Sequence, residues 1–144
     1  MIEQDTIKLL RECDAGVKMG VESIEDVVER VRSNKLRDCL LACKDAHNEL
    51  GKEIAQELDK FGDDGKEPNP IAKGMSWMKT NMKMAIEDTD RTVASLMTDG
   101  CNMGVKSLNR YLNQYEAADE RSKDITKRLI HLEERLVADI REYL

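Results

Sequence analysis

The chain is 144 residues long, enough for one domain with a sizeable core. Only 3% of it is aromatic and only two residues are proline, a balance that excludes a sandwich or barrel and favours long helices. Charged residues make up 36%, and 29 acids against 23 bases leave a net charge of −6, which opposes non-specific phosphate binding. No apolar run approaches the ~20 residues of a membrane span and no signal pattern opens the chain. The expectations are therefore no nucleic acid partner, no membrane association and a cytoplasmic location.

In chain order, Leu10, Cys13, Val17, Gly20, Ile24, Val27 and Val31 recur in steps of three and four, the stripe of a bundle helix over 2–32. Ser33-Asn34 interrupts it. A second stripe, Leu36, Leu40, Cys43, His47, Leu50, Ile54 and Phe61, predicts a helix over 35–61, antiparallel to the first because the break is so short. Gly62 to Pro70 has no periodicity and reads as loop. Asn69-Pro70 then looks like an N-cap with proline in the first turn, opening a short helix within a crossover over 62–87. Val93, Leu96, Gly100, Met103, Ser107 and Tyr111 predict a helix over 88–116. Ile125, Leu129, Leu132, Leu136, Ile140 and Tyr143 predict a last one over 119–144.

The chain also repeats itself. Shifted by 84 positions, Gly16, Met19, Gly20 and Val21 fall on Gly100, Met103, Gly104 and Val105, and His47 falls on His131. Such a repeat makes the molecule two copies of one helical hairpin. Two hairpins joined by one long crossover have the connectivity of a ferritin-like four-helix bundle. Three stretches carry a closer resemblance: Leu10 to Gly20, Trp77-Met78-Lys79 and Asp99 to Lys106. On these the chain resembles a bacterial family of uncharacterised ferritin-like proteins, a similarity that covers nearly its whole length. The resemblance implies an all-α antiparallel four-helix bundle with a long crossover between the second and third helices, and very little chemistry.

Ferritin-like iron proteins place a Glu on each of two helices and Glu-x-x-His on the other two. Here Lys44 and Arg128 stand three residues before His47 and His131, where acids are needed. The inward faces of the first and third helices offer Val17, Val21, Cys101 and Val105, and Glu133-Glu134 reads as a solvated face. The dinuclear site is expected to be lost. Both histidines are expected on the inward stripes, His47 level with Gly20 and His131 level with Gly104, as neutral, hydrogen-bonded core residues. The competing reading is an altered metal site of Cys39, Cys43, His47 and His131. Thiolates with imidazole suit zinc rather than iron–oxygen chemistry, but residues eight apart on one helix are ~12 Å apart along its axis. The four cysteines lack the short spacing of zinc knuckles and read as small buried hydrophobes in a reducing compartment.

On the crossover, Ile71, Met75, Met78, Met82 and Ile86 can face the bundle, while Trp77 and Met84 flank them on another side. Trp77 and Met84 either tuck under a loop or form an adhesive patch, whose commonest use is a homodimer. Two functions remain open. One is a non-catalytic assembly or protein-binding module that needs no cofactor. The other is an iron- or zinc-binding protein or oxidoreductase using the His/Cys set.

Overall fold

The computed structural model describes residues 2–68, 84 and 87–144, and among these the chain is helical with no strand. Four long helices are present: α1 (Ile2–Val28), α2 (Asn34–Asp59), α3 (Asp90–Gln114) and α4 (Glu120–Ile140). A single 3-10 turn, Arg141–Tyr143, follows α4. Each long helix thus ends short of its expected limit. Three of them begin at an oxygen-bearing N-cap: Ser33 Oγ accepts from Leu36 N, Thr89 Oγ1 from Thr92 N, and Asp119 Oδ1 from Ser122 N. The short helix expected within the crossover, with its Asn69-Pro70 start, lies outside the described residues.

The direction of each helix follows from what its ends touch. Backbone N–H groups of Arg32 and Ser33, in the α1–α2 bend, both donate to the Asp90 carboxylate at the start of α3. At the other pole, the α3–α4 bend donates from Ala117 N to Asp5 and from Asp119 N to Thr6 Oγ1, at the start of α1. Helices α2 and α3 therefore run parallel, and the connection from 60 to 89 joins opposite poles. Its first residues climb α1 on a ladder of charges. Arg11 pairs with Asp63, Asp14 accepts from Lys66 N, and Lys18 pairs with Glu67. Gly65 makes this possible: its φ is +93°, and a Cβ there would strike the Asp14 carboxylate.

The pattern of burial repeats between the two halves, in two registers. Buried Leu9, Leu10, Cys13, Val17 and Ile24 of α1 correspond to buried Val93, Ala94, Met97, Cys101 and Leu108 of α3, an offset of 84. Buried Leu36, Leu40, His47, Leu50 and Ile54 of α2 correspond to Ser122, Thr126, Glu133, Leu136 and Ile140 of α4, an offset of 86. The bends obey the same rule, since the Thr6–Asp119 contact is the counterpart of Asp90–Ser33. The extra two residues are accommodated at the end of α3, which continues past Leu112, the counterpart of Val28, to Gln114. Two residues rotate a helical position by about 200°, to the opposite face.

That slip corrects one expectation, and two others fail for separate reasons. His131 is not inward: its side chain is 90% exposed, and Glu133 occupies the core position instead. On α3 the buried line is one residue away from the expected stripe, so Gly100 is open and Met103 is 70% exposed. Met84 is only 2% exposed and packs with Ile24, Val27, Leu36 and Ile140, so it is part of the chain's own core and not of an external patch. Trp77 lies outside the described residues.

The apolar interior is split in two along the axis. One cluster, around Ile24, Leu36, Leu40, Val93, Met97 and Ile140, fills the pole of the first bend. The other, around Leu10, Val17, Ile54, Leu58, Ile125 and Leu129, fills the pole of the second. Between them lies a polar layer.

Candidate functional site

Four positions related by the two offsets meet in that layer: Gly20 of α1, Gly104 of α3, His47 of α2 and Glu133 of α4. His47 Nε2 lies 3.0 Å from Glu133 Oε1. The other ring nitrogen, Nδ1, lies 2.8 Å from the Cys43 carbonyl oxygen and 3.5 Å from Cys43 Sγ. His47 is 1% exposed and Glu133 9%. A Cβ at Gly20 would come within 2.9 Å of the imidazole, whereas one at Gly104 would meet Glu133 at an ordinary 3.7 Å. Only Gly20 is thus required to be glycine by the ring. The close level of His47 and Gly20 agrees with the sequence reading, whereas the expected partner of Gly104, His131, is replaced by Glu133.

Charge sets the character of this layer. Burial works against protonation of His47, but its hydrogen bonds to Cys43 and Glu133 outweigh that and push its pKa up to about 10. The imidazole is therefore positive at neutral pH, with both nitrogens donating, and not the neutral core histidine expected. Cys101 closes the layer from α3. Burial pushes its thiol well up, and the neighbouring Glu133, to which it is hydrogen-bonded, pushes it further. A second polar contact lies deeper in the other half, where Cys13 Sγ and Thr126 Oγ1 are 3.2 Å apart. Burial raises the Cys13 thiol to about 12, with the Thr126 contact opposing it. Both are inert at neutral pH as nucleophiles.

The expected metal donors are not gathered. Cys39 and Cys43 are half-buried and face a groove between α2 and α4, His47 points inward to Glu133, and His131 lies on the exposed face of α4. Among the described residues no group of three or more His, Cys, Asp or Glu is placed to hold an ion. All four cysteines are free thiols. The two bases at the sites of the missing acids are engaged on the outside, Lys44 with Glu25 and Arg128 with Glu53. A di-iron centre does not fit here. It needs a carboxylate from each of four helices, and where α1 and α3 reach the central layer they present Gly20 and Gly104. The acid at the centre, Glu133, is held by His47.

Sequence reasoning placed Cys101 inward, where it is buried, but missed Glu133. A signal for Glu133 was present in the capping residues: aligning N-cap Ser33 with N-cap Asp119 places His47 on Glu133. No helix of the described residues is long and apolar enough to cross a membrane. No family model, curated protein or solved structure matches this chain.

Proposed function

We propose that this chain is a ferritin-like bundle that has exchanged the iron centre for a structural ion pair and works through its surface, as an assembly or protein-binding module. The observation that carries the reading is the central layer itself. Two glycines stand where two carboxylates would be needed, and the remaining imidazole and carboxyl are spent on each other. The parallel α2 and α3, joined pole to pole, support the ferritin-like connectivity. Four free thiols accord with a cytoplasmic setting.

The partner proposed first is a second copy of the chain, with Trp77 as the anchor. Met84 plays no part in that contact, being enclosed by the chain's own core.

Two measurements on purified protein test the proposal. Elemental analysis after exposure to iron(II) and zinc(II), followed by desalting, is expected to find neither metal in stoichiometric amount. Sedimentation is expected to find a dimer that Trp77→Glu converts to a folded monomer. Retained iron that disappears in Glu133→Gln would overturn the non-catalytic reading. A monomeric parent protein would remove the homodimer.

A further inference from the structure

The groove between α2 and α4 holds a chemistry that the central pair does not use. Cys39 and Cys43 lie one turn apart on α2, and both line it. Its volume is about 620 Å³, room for a molecule of small-peptide size. Ala42 and Ala46 flank Cys43 with single methyl groups, so little side chain stands between the thiol and the opening. Leu132 and Leu136 of α4 form the facing apolar wall. Charges of both signs stand around it, Lys35 and Asp38 on α2, Arg135 and Asp139 on α4. They suit a ligand carrying both ammonium and carboxylate groups.

The two thiols differ in what stands behind them. Cys43 Sγ lies 3.5 Å from Nδ1 of His47, whose far nitrogen is anchored on Glu133. A thiol beside a donor nitrogen held by a third group has the nucleophile arrangement of activated cysteines. Among the described residues Cys39 has no imidazole behind it. Its thiol is raised by burial, with Asp139 adding to the effect. We propose that Cys43 is a modification site, a reactive thiol that undergoes exchange with low-molecular-weight disulfides entering the α2–α4 groove.

In that step Cys43 gives up its proton to solvent, and its sulfur, beside the His47 ring, attacks one sulfur of the small disulfide. A new S–S bond forms at Cys43, the original S–S bond breaks, and the second sulfur leaves as a thiolate that takes a proton from solvent. Cys43 is oxidised and half of the disulfide is reduced, so no further oxidant is needed. Cys101 and Glu133 stand in the layer behind the thiol, and Arg135 and Asp139 of α4 with Lys35, Asp38 and Cys39 of its own helix line the groove. From α1 the layer receives Gly20, which carries no charge. Nδ1 of His47 lies 3.5 Å from the Cys43 sulfur and 2.8 Å from the Cys43 carbonyl oxygen, so the ring sits against the thiol's own turn.

The test is exposure of the native protein to oxidised glutathione at about pH 7, with adducts mapped by mass spectrometry. The expected product is a single adduct on Cys43, formed about tenfold or more faster than any on Cys39. Cys39→Ser should leave that rate unchanged. His47→Gln, shown by circular dichroism to be folded, should slow Cys43 about tenfold, toward the Cys39 rate. Should His47→Gln fail to fold, the ratio of Cys43 to Cys39 labelling in the parent protein decides alone. Equal labelling of Cys39 and Cys43, or a folded His47→Gln variant that reacts as fast as the parent, would overturn the assignment.

Discussion

The two hairpins place different residues at one and the same point. Where α2 delivers His47 to the centre of the bundle, α4 delivers Glu133, and a cation meets an anion across the pseudo-twofold. Two turns from that point the same comparison sets Leu40 and Met97, toward the first bend, against Thr126 and Cys13, toward the second, apolar in one half and polar in the other. Corresponding helices thus share packing positions while the chemistry at those positions differs. A residue matched in sequence, His131, is not the residue matched in space.

The comparison breaks most severely if one partner of the central pair is removed. Glu133→Leu leaves a buried imidazolium without its carboxylate and should cost about 3–5 kcal/mol, read from the urea midpoint at pH 7. Adding His47→Leu should recover most of that loss, because two apolar side chains of similar volume can replace a buried ion pair at little net cost. A double variant as unstable as the single one would contradict the pairing.

Titration reports on the imidazole of the pair. The folded-state pKa of His47 lies above its unfolded value, so its contribution is complete below about pH 6.5 and fades as pH rises through about 10. Denaturation midpoints of the parent should therefore decline on the alkaline side, and those of the double leucine variant should decline less there.

The two glycines sharpen the comparison at smaller amplitude. Gly20→Ala forces its methyl against the His47 ring and should destabilise by about 1–3 kcal/mol. Gly104→Ala meets Glu133 at an ordinary distance and should stabilise by up to about 1 kcal/mol through helix propensity. The smallest effect belongs to Met103, the counterpart of Met19. It is exposed, so Met103→Lys should shift stability by no more than about 0.5 kcal/mol. A larger loss in the thermal melt would mean that Met103 is covered in solution.

Most of the architecture was legible in the sequence, because long helices declare themselves through periodicity. The first stripe, Leu10 to Val31, is buried almost in full, apart from Gly20, which faces His47. The break at Ser33 is a true N-cap, and the 84-residue repeat holds across α1 and α3. The site was harder to read, since it depends on rotation about the helix axis. Periodicity alone put the α3 stripe on Gly100 and Met103, although the repeat applied to Leu10, Cys13 and Val17 points to Ala94, Met97 and Cys101, which are the buried ones. On α4 the same repeat misleads, because two added helical residues at the end of α3 turn every later position through more than half a circle. Nothing in the short polar bend reports that addition except the capping residue Asp119. Met84 was misplaced for a different reason: an amphipathic pattern ranks faces but says nothing of which neighbour covers them.

The reciprocal fastening of the bends has a kinetic consequence. Asp90 satisfies two N–H groups of the first bend, and Asp5 with Thr6 satisfies two of the second, so each hairpin is finished by its sibling. Neither half can acquire its mature corner in isolation. Docking and corner formation should therefore be a single concerted event, and a half-length fragment should behave as a frayed, non-cooperative pair of helices until its complement is supplied.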